Sequence, residues 1–586
     1  MKNLLIILFS FLVLSPLVSQ TIPANRLVNW SNAGLGQAIP SYQTIVNITS
    51  LGAVGDGTTV NDNAFSSALN SLNGKSGVIY FPAGTYLFHT GFTLPDSTII
   101  RGESSQTTFL KFDLSAESVP ADLISITGSV TTQSSAINSD ALKGAVTISV
   151  DNASGFNQGD YIKIYETDTD LVTSTWAYNS VAQVALIKSV SGNTITISSP
   201  LRTTYPLTLN PQIVKLAPIT GVGLECFNIQ RLDSTAGQTS NISFTVAAKC
   251  WVTSVESYMT NYAHVEISTS TNIYVSGSYF HHAFAYGGDG QGYGAVAQYS
   301  SGECLIENTI FNNLRHSMMV QTGANGNVFS YNYSVNPYWV QSGFPTNSAG
   351  DIVLHGNYPF ANLFEGNSCQ NIVIDNSHGI NGPYNTIFRN RAALYGIVMN
   401  SGAGDSTNFV GNDIPNKGFL MGNYILTGNG NFTAFNTVQG TINPSSSGTL
   451  ADNSYYLTNA PSYFTTSYHW PPIGNPYSSS NYPIPAQDAY NSGTYTNCTQ
   501  SATTGILPAS KAEFLVYPNP VSDELHIVYS HTTPLQSLQA ELYNIQGALL
   551  SSYTLYSNTS INMQSFTSGV YILKISNEYF RIVKVE

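Results

Sequence analysis

Between residues 295 and 400 one short pattern of apolar and polar positions keeps returning. Three apolar residues are closed by a polar one in AVAQ (295–298), MMVQ (318–321), IVLH (352–355), IVID (372–375) and IVMN (397–400). A second set of phrases keeps step with it: CLIENTIF, NVFSYNYS, NLFEGNSC, NTIFRNRA, NFVGNDIP and NFTAFNTV begin at 304, 327, 362, 385, 408 and 431. Their steps are 23, 35, 23, 23 and 23 residues. A fixed period of this size marks a stack of similar units. Within each unit, short β-branched or aromatic runs alternate with Gly and Asn, which predicts strands and turns. The expected fold is all-β, a parallel β-helix. An Asn recurs in each unit (Asn308, Asn332, Asn367, Asn390, Asn412, Asn436), placed to hydrogen-bond from coil to coil.

Coils stack about 4.8 Å apart, so equivalent residues form columns. Gln298, Gln321, His355, Asp375 and Asn400 should make one polar column, with Val296, Met319, Val353, Val373 and Val398 as an apolar stripe two places back. Gly294, Ser317, Asp351, Asn371 and Gly396 come four places back. Alternation along a strand puts Asp351, Val353 and His355 on one face. Polar tips at strand ends also serve as turn caps, but a cap column has no reason to pass from amide to imidazole to carboxylate. The two departures from the period, AYGGDGQGYG (285–294) and NPYWVQSGFPTNSAG (336–350), fall beside these rungs. Gly- and aromatic-rich insertions on a solenoid line its binding face.

Composition narrows the function. The 586 residues carry only 9% charged side chains and a net charge of −13, which excludes nucleic acid as a partner. The start, MKNLLIILFSFLVLSPLVSQ, reads as a secretory signal peptide over 1–20, and no other apolar run is long enough to span a membrane. Cys226, Cys250, Cys304, Cys369 and Cys498 show no metal-like spacing. The first three each open a similar phrase, which predicts interior stacking.

Residues 47–112, with GAVGDGTTVND, a short amphipathic helix, VIYFPAGTY and STIIRGES, resemble the opening of the pectate-lyase-like superfamily, which includes rhamnogalacturonase-, epimerase- and tailspike-like proteins. The resemblance implies a right-handed parallel β-helix over 21–480, capped by that helix. Residues 129–215 break the period and read as an inserted small β-domain. FLVYPNPVSDELHIVYS, AELYNIQGALLSSYTL and SGVYILKISNEYFRIVKVE resemble the type IX secretion C-terminal sorting domain. That implies a β-sandwich over 514–586, a linker over 481–513, interaction with the secretion machinery, and release or attachment at the cell surface. The catalytic motifs of polygalacturonases and the Asp columns of Ca²⁺-dependent pectate lyases are missing. The sequence requires no cofactor, and no residue pattern assigns Ca²⁺ or another metal.

Hydrolysis of a glycosidic bond needs two carboxyls about 5–9.5 Å apart. Asp351 and Asp375 are expected about 14 Å apart, so Asp289 from the first insertion would have to complete a pair. His355 and Asp375 are expected as neighbours, and an Asp beside an imidazole makes a competent proton-transfer group. His316 and His378 sit on adjoining rungs, with Arg315 and Arg389 near in sequence. β-Elimination needs a base, a cation for the enolate and an acid for the leaving oxygen. His355, Arg315 or Arg389, and Tyr293 or Tyr395 are the candidates. Alternation allows only one of Arg315 and His316 into the groove if the strand is regular. Tyr338, Trp339, Phe344 and Tyr358 offer flat faces for sugar rings, whereas Glu307 and Glu365 read as structural. The expected function is cleavage of a polysaccharide, with a lean toward lyase over hydrolase, against a non-catalytic glycan-binding or adhesin protein.

Overall fold

In the computed structural model, residues 21–476, 482–496, 498, 514–529, 538–544, 547–555, 559–575 and 578–585 are described; the signal peptide and most of the linker expected from the sequence lie outside them. The chain divides into two units, 1–499 and 500–586.

Strands of two to nine residues, mostly three to six and too short to persist alone, stack in the first unit as successive turns of one coil. One face is a 12-stranded parallel sheet that runs from Ile45–Asn47 through Leu305–Glu307, Val328–Ser330, Leu363–Glu365 and Thr386–Phe388 to Phe432–Ala434. The repeated phrases supply these strands in register, Leu305 against Val328, Leu363 and Thr386. The other faces form a continuous 21-stranded network. Inward-facing Ile, Val, Phe and Met from every rung fill one core, which also takes Cys250, Cys304 and Cys369. The helix Asp62–Leu72 closes its N-terminal end by burying Ala64, Phe65, Ala68 and Leu72. At the other end Thr441–Asn443 turns back antiparallel against Asn436–Val438.

Asn side chains hold the corners. Asn332, Asn367, Asn390, Asn412 and Asn436 form a ladder, each Nδ2 donating to the next Oδ1 at 3.0, 2.9, 3.3 and 2.9 Å. Asn308 is outside it: Thr309, one place on, donates its N–H to Asn332 Oδ1, and the Asn308 Oδ1 finds no partner among the described residues. A second ladder, unforeseen from the sequence, joins Asn327, Asn362 and Asn385 at 2.9 and 3.0 Å.

The insertion is a six-stranded antiparallel sheet from Ser129–Ala136 to Gln212–Ala217 with its own core of Ile148, Ile162, Ile195 and Ile213. It docks on the coils through Arg202, whose guanidinium reaches Glu303 and Asn325 Oδ1, and through Ser180 O, which accepts from Ser300 Oγ at 2.8 Å. Tyr358, expected as a sugar platform, packs instead at this junction beside Val172 and Ala177. The stretch read as linker begins with a helix, Pro485–Ser492, whose Ala486 joins Ile484, Tyr456, Phe464 and Trp30 in a second apolar cluster on the outside of the 12-stranded face. In the second unit, a three-stranded and a four-stranded antiparallel sheet share the core Leu525, Ile527, Leu542, Leu573 and Ile575.

Candidate functional site

The polar column expected from the sequence exists. Ala297 pairs with Val320, Val320 with Leu354, Leu354 with Ile374 and Ile374 with Met399, which sets Gln298, Gln321, His355, Asp375 and Asn400 on successive rungs. Gln321 Nε2 donates to Gln298 Oε1 at 2.5 Å, and Gln298 Nε2 donates to Glu266 Oε1 at 2.8 Å. Glu266 lies outside the motif phrases and was not singled out by sequence. Asn400 is exposed at the end of the column.

His355 Nδ1 and Asp375 Oδ2 are 2.7 Å apart, with both side chains largely buried. The Ser377 N–H donates to the other carboxyl oxygen at 3.0 Å. Burial pushes the Asp375 carboxyl up, but the bond to His355 and the Ser377 amide outweigh it and hold the group below its ordinary value. Ionised Asp375 accepts a hydrogen bond from His355 Nδ1–H, which leaves Nε2 as the lone-pair nitrogen, with no partner among the described residues.

The stripe between the polar columns is not an open floor. Val296, Met319 and Val353 are fully buried beneath Tyr262 and Tyr293. Tyr293 stacks on His316 at 5.1 Å, His316 lies 5.5 Å from His355, His355 lies 5.0 Å from His378, and His378 meets Trp176 of the inserted domain at 5.5 Å. The rings thus run in file across the sheet, from one insertion to the other. Trp176 was invisible to sequence reasoning because only the docking of its domain brings it here.

His316 Nδ1 donates to Gly350 O at 3.0 Å, while its Nε2 is buried without a partner among the described residues. Burial, then the charges of Arg315 and His355, push this imidazole far below its usual value, so it stays neutral. Arg315 joins the site together with His316, contrary to the alternation argument, because it precedes the strand His316–Val320. Its guanidinium lies 5.6 Å from the Tyr293 ring and 5.8 Å from the Trp339 ring, and its Nε is a buried donor without a partner among the described residues. Burial raises the Tyr293 hydroxyl, which therefore keeps its proton. Trp339 stacks on Phe344 at 6.0 Å, and Tyr338 meets Tyr286 at 4.9 Å, so the two loop insertions pack on each other as one wall.

Three expected site residues lie elsewhere. Asp351 is fully buried and faces the corner of the coil: it accepts from Ser334 Oγ at 2.5 Å and from the N–H groups of Gln370 and Asn371 at 2.9 and 2.8 Å. Arg389 is buried on the opposite side, donating to the carbonyls of Leu450, Asp452 and Ile473. Tyr395 donates to Asn347 Oδ1 at 3.1 Å and so tethers the second insertion rather than facing His355. Asp289 is exposed at the tip of the first insertion. Glu307 and Glu365 are structural as expected, Glu307 accepting from the hydroxyls of Tyr274, Tyr456 and Tyr463. A separate cleft of about 360 Å³, lined by Phe109, Lys111, Gln230, Glu256, Tyr258 and His281, lies on another face and contains none of the expected residues.

Residues 45–180 match the family described as rhamnogalacturonase A/epimerase, pectate lyase-like, and residues 515–585 match the secretion system C-terminal sorting domain. Both resemblances read from the sequence are thereby shown. The sorting domain directs the chain to secretion by the type IX route, with attachment at the cell surface or release. No curated protein matches the chain. Among solved structures, the tailspike protein gp49 of Pseudomonas phage LKA1 is 18% identical, with a TM-score of 0.46, over 63% of this chain and 64% of that one. The match therefore spans less than two thirds of that tailspike. The mannuronan C-5 epimerase AlgE6 A-module of Azotobacter vinelandii is 12% identical, with a TM-score of 0.24, over 66% of this chain and 99% of the module.

Proposed function

We propose that this secreted β-helix protein cleaves a uronate-containing polysaccharide by β-elimination along the file of rings between Trp176 and Trp339. The observation that carries the reading is the His355–Asp375 pair, 2.7 Å apart, with Nε2 unpartnered and the Arg315 cation in the same ring cluster. His355 Nε2 removes the proton next to the sugar carboxyl, and Asp375 stabilises the imidazolium that results. Arg315, whose buried Nε has no acceptor among the described residues, takes the carboxylate and the charge that builds on it as the C–H bond breaks. The Tyr293 hydroxyl, protonated through burial, gives its proton to the leaving oxygen as the C–O bond breaks and the double bond forms. The match of residues 45–180 to a pectate lyase-like family supports a carbohydrate-directed role.

Hydrolysis would need a second carboxyl about 5–9.5 Å from Asp375. Asp289, exposed on the first insertion, is the candidate partner. The test is to incubate the chain without residues 1–20 and 514–586 with neutral, uronate-containing and sulfated polysaccharides, following reducing ends together with the ultraviolet absorbance of unsaturated sugars. A rise in both on uronates supports elimination. Reducing ends alone make the enzyme a hydrolase. Binding without cleavage on any substrate makes it a glycan-binding surface protein.

A further inference from the structure

Cys226 does not join the interior stack that holds Cys250 and Cys304. It occupies the turn after the strand Gly223–Glu225, in a left-handed conformation with φ 60°, and its N–H donates to Thr253 O at 3.2 Å. Ser254 repeats this left-handed turn on the next coil, with φ 56°. Cys498 Sγ lies 3.9 Å from Ser254 O, and the Cys226 and Cys498 thiols are hydrogen-bonded to each other. The chain leading to Cys498 is seated on the coils: Tyr495 stacks on Tyr279 at 4.5 Å, and the Thr496 and Ser105 hydroxyls are hydrogen-bonded in a buried position. Two thiols far apart in sequence are therefore held together by packing on both sides of the contact.

We propose that Cys226 and Cys498 form a disulfide once the chain has left the cytoplasm, fastening the end of the β-helix unit to its own coils. Secretion supplies the compartment in which such bonds persist. The oxidant is a dithiol oxidoreductase in its disulfide form. Cys498, half-buried and therefore the accessible sulfur, attacks that disulfide as a thiolate and releases one oxidant sulfur. Cys226 then attacks the Cys498 sulfur and releases the second. Two protons and two electrons leave the cysteines, and the oxidant ends as its dithiol. The hydrogen bond from Cys226 holds the Cys498 thiol below its ordinary value, in keeping with this order of attack. Cys250, Cys304 and Cys369 are buried and stay reduced.

The experiment uses the full chain exported by a cell with a type IX secretion system, trapped with acid and N-ethylmaleimide and digested without reduction. The expected result is one cross-linked peptide pair containing Cys226 and Cys498, lighter by two hydrogen atoms than the sum of its parts, with the other three cysteines labelled after denaturation. Label on both Cys226 and Cys498 overturns the proposal. As a second readout, dithiothreitol should lower the midpoint of thermal unfolding in the unsubstituted protein and leave it unmoved in Cys498→Ser. An equal response of the two proteins overturns it as well.

Discussion

His355 and Asp375 stand 20 residues apart in the chain and share a hydrogen bond of 2.7 Å, because one turn of the coil carries each strand back beside the last. The proposed base and the group that would orient it are thus supplied by neighbouring rungs of the same column, and any change in the length of the segment between them would separate the two.

Substitution of either member tests that pair. His355→Ala should lower turnover by about 10²–10⁴-fold. Asp375→Asn should lose turnover with little change in KM, because an amide no longer dictates which imidazole nitrogen carries the proton. Rates on an oligosaccharide that the unsubstituted protein cleaves, alongside circular dichroism to monitor folding, check both; full activity in His355→Ala would move the site elsewhere.

The two arginines should separate chemistry from stability. Arg315→Gln is expected to fold normally and lose about 10²-fold or more in turnover on a uronate substrate, as a preorganised charge is removed. Arg389→Met leaves three buried carbonyls without their donor, so its loss should appear as several kcal/mol of stability and faster proteolysis of residues 450–473, with turnover retained where the protein remains folded.

Acid and base should act on the fold through different groups. His316 has a folded value below its unfolded one, so its contribution is present above the unfolded value of about 6.5 and is lost as the pH falls below it. Asp351 works in the opposite sense. Burial raises it from 3.8 to about 6, so its contribution is full below 3.8 and is lost as the pH rises through about 6. Asp351→Asn should flatten that upper loss, whereas Asp351→Ala should cost about 3 kcal/mol at every pH by stranding the amides of Gln370 and Asn371. Urea midpoints measured across the pH range distinguish the two variants.

Trp176 presents a half-exposed ring at the end of the file of imidazoles. Trp176→Ala should raise KM about tenfold with turnover nearly unchanged, the loss of roughly 1.4 kcal/mol of stacking. Calorimetry with a non-cleavable oligosaccharide reads the same loss as weaker binding.

The coil period was legible because each rung repeats both a polar terminus and an apolar triplet, and the column from Gln298 to Asn400 follows from it. The errors fall where the chain leaves regular strand. Asp351 precedes the strand Ile352–Leu354, so alternation did not govern its direction. Arg389 has a left-handed backbone, φ 53°, at a corner, which turns its side chain toward the tail packed outside the coil. Asn308 and Thr309 are both polar, and only the coil-to-coil hydrogen bond distinguishes which of them meets Asn332. Trp176 and Cys498 reach their places through packing between segments remote in sequence, for which no local pattern exists.

The short antiparallel return of Thr441–Asn443 has a consequence for the life of the protein outside the cell. A stack of parallel rungs offers at its last strand a row of unpaired amides and carbonyls, ready to accept another copy and grow into a fibre. Here the last parallel strand, Asn436–Val438, is already paired with a strand of opposite direction, and its ladder residue Asn436 donates to Phe409 O and the Tyr424 hydroxyl. That edge of the column is therefore closed, and at high local concentration on a cell surface Asn436–Val438 offers neighbouring copies no open parallel strand to extend.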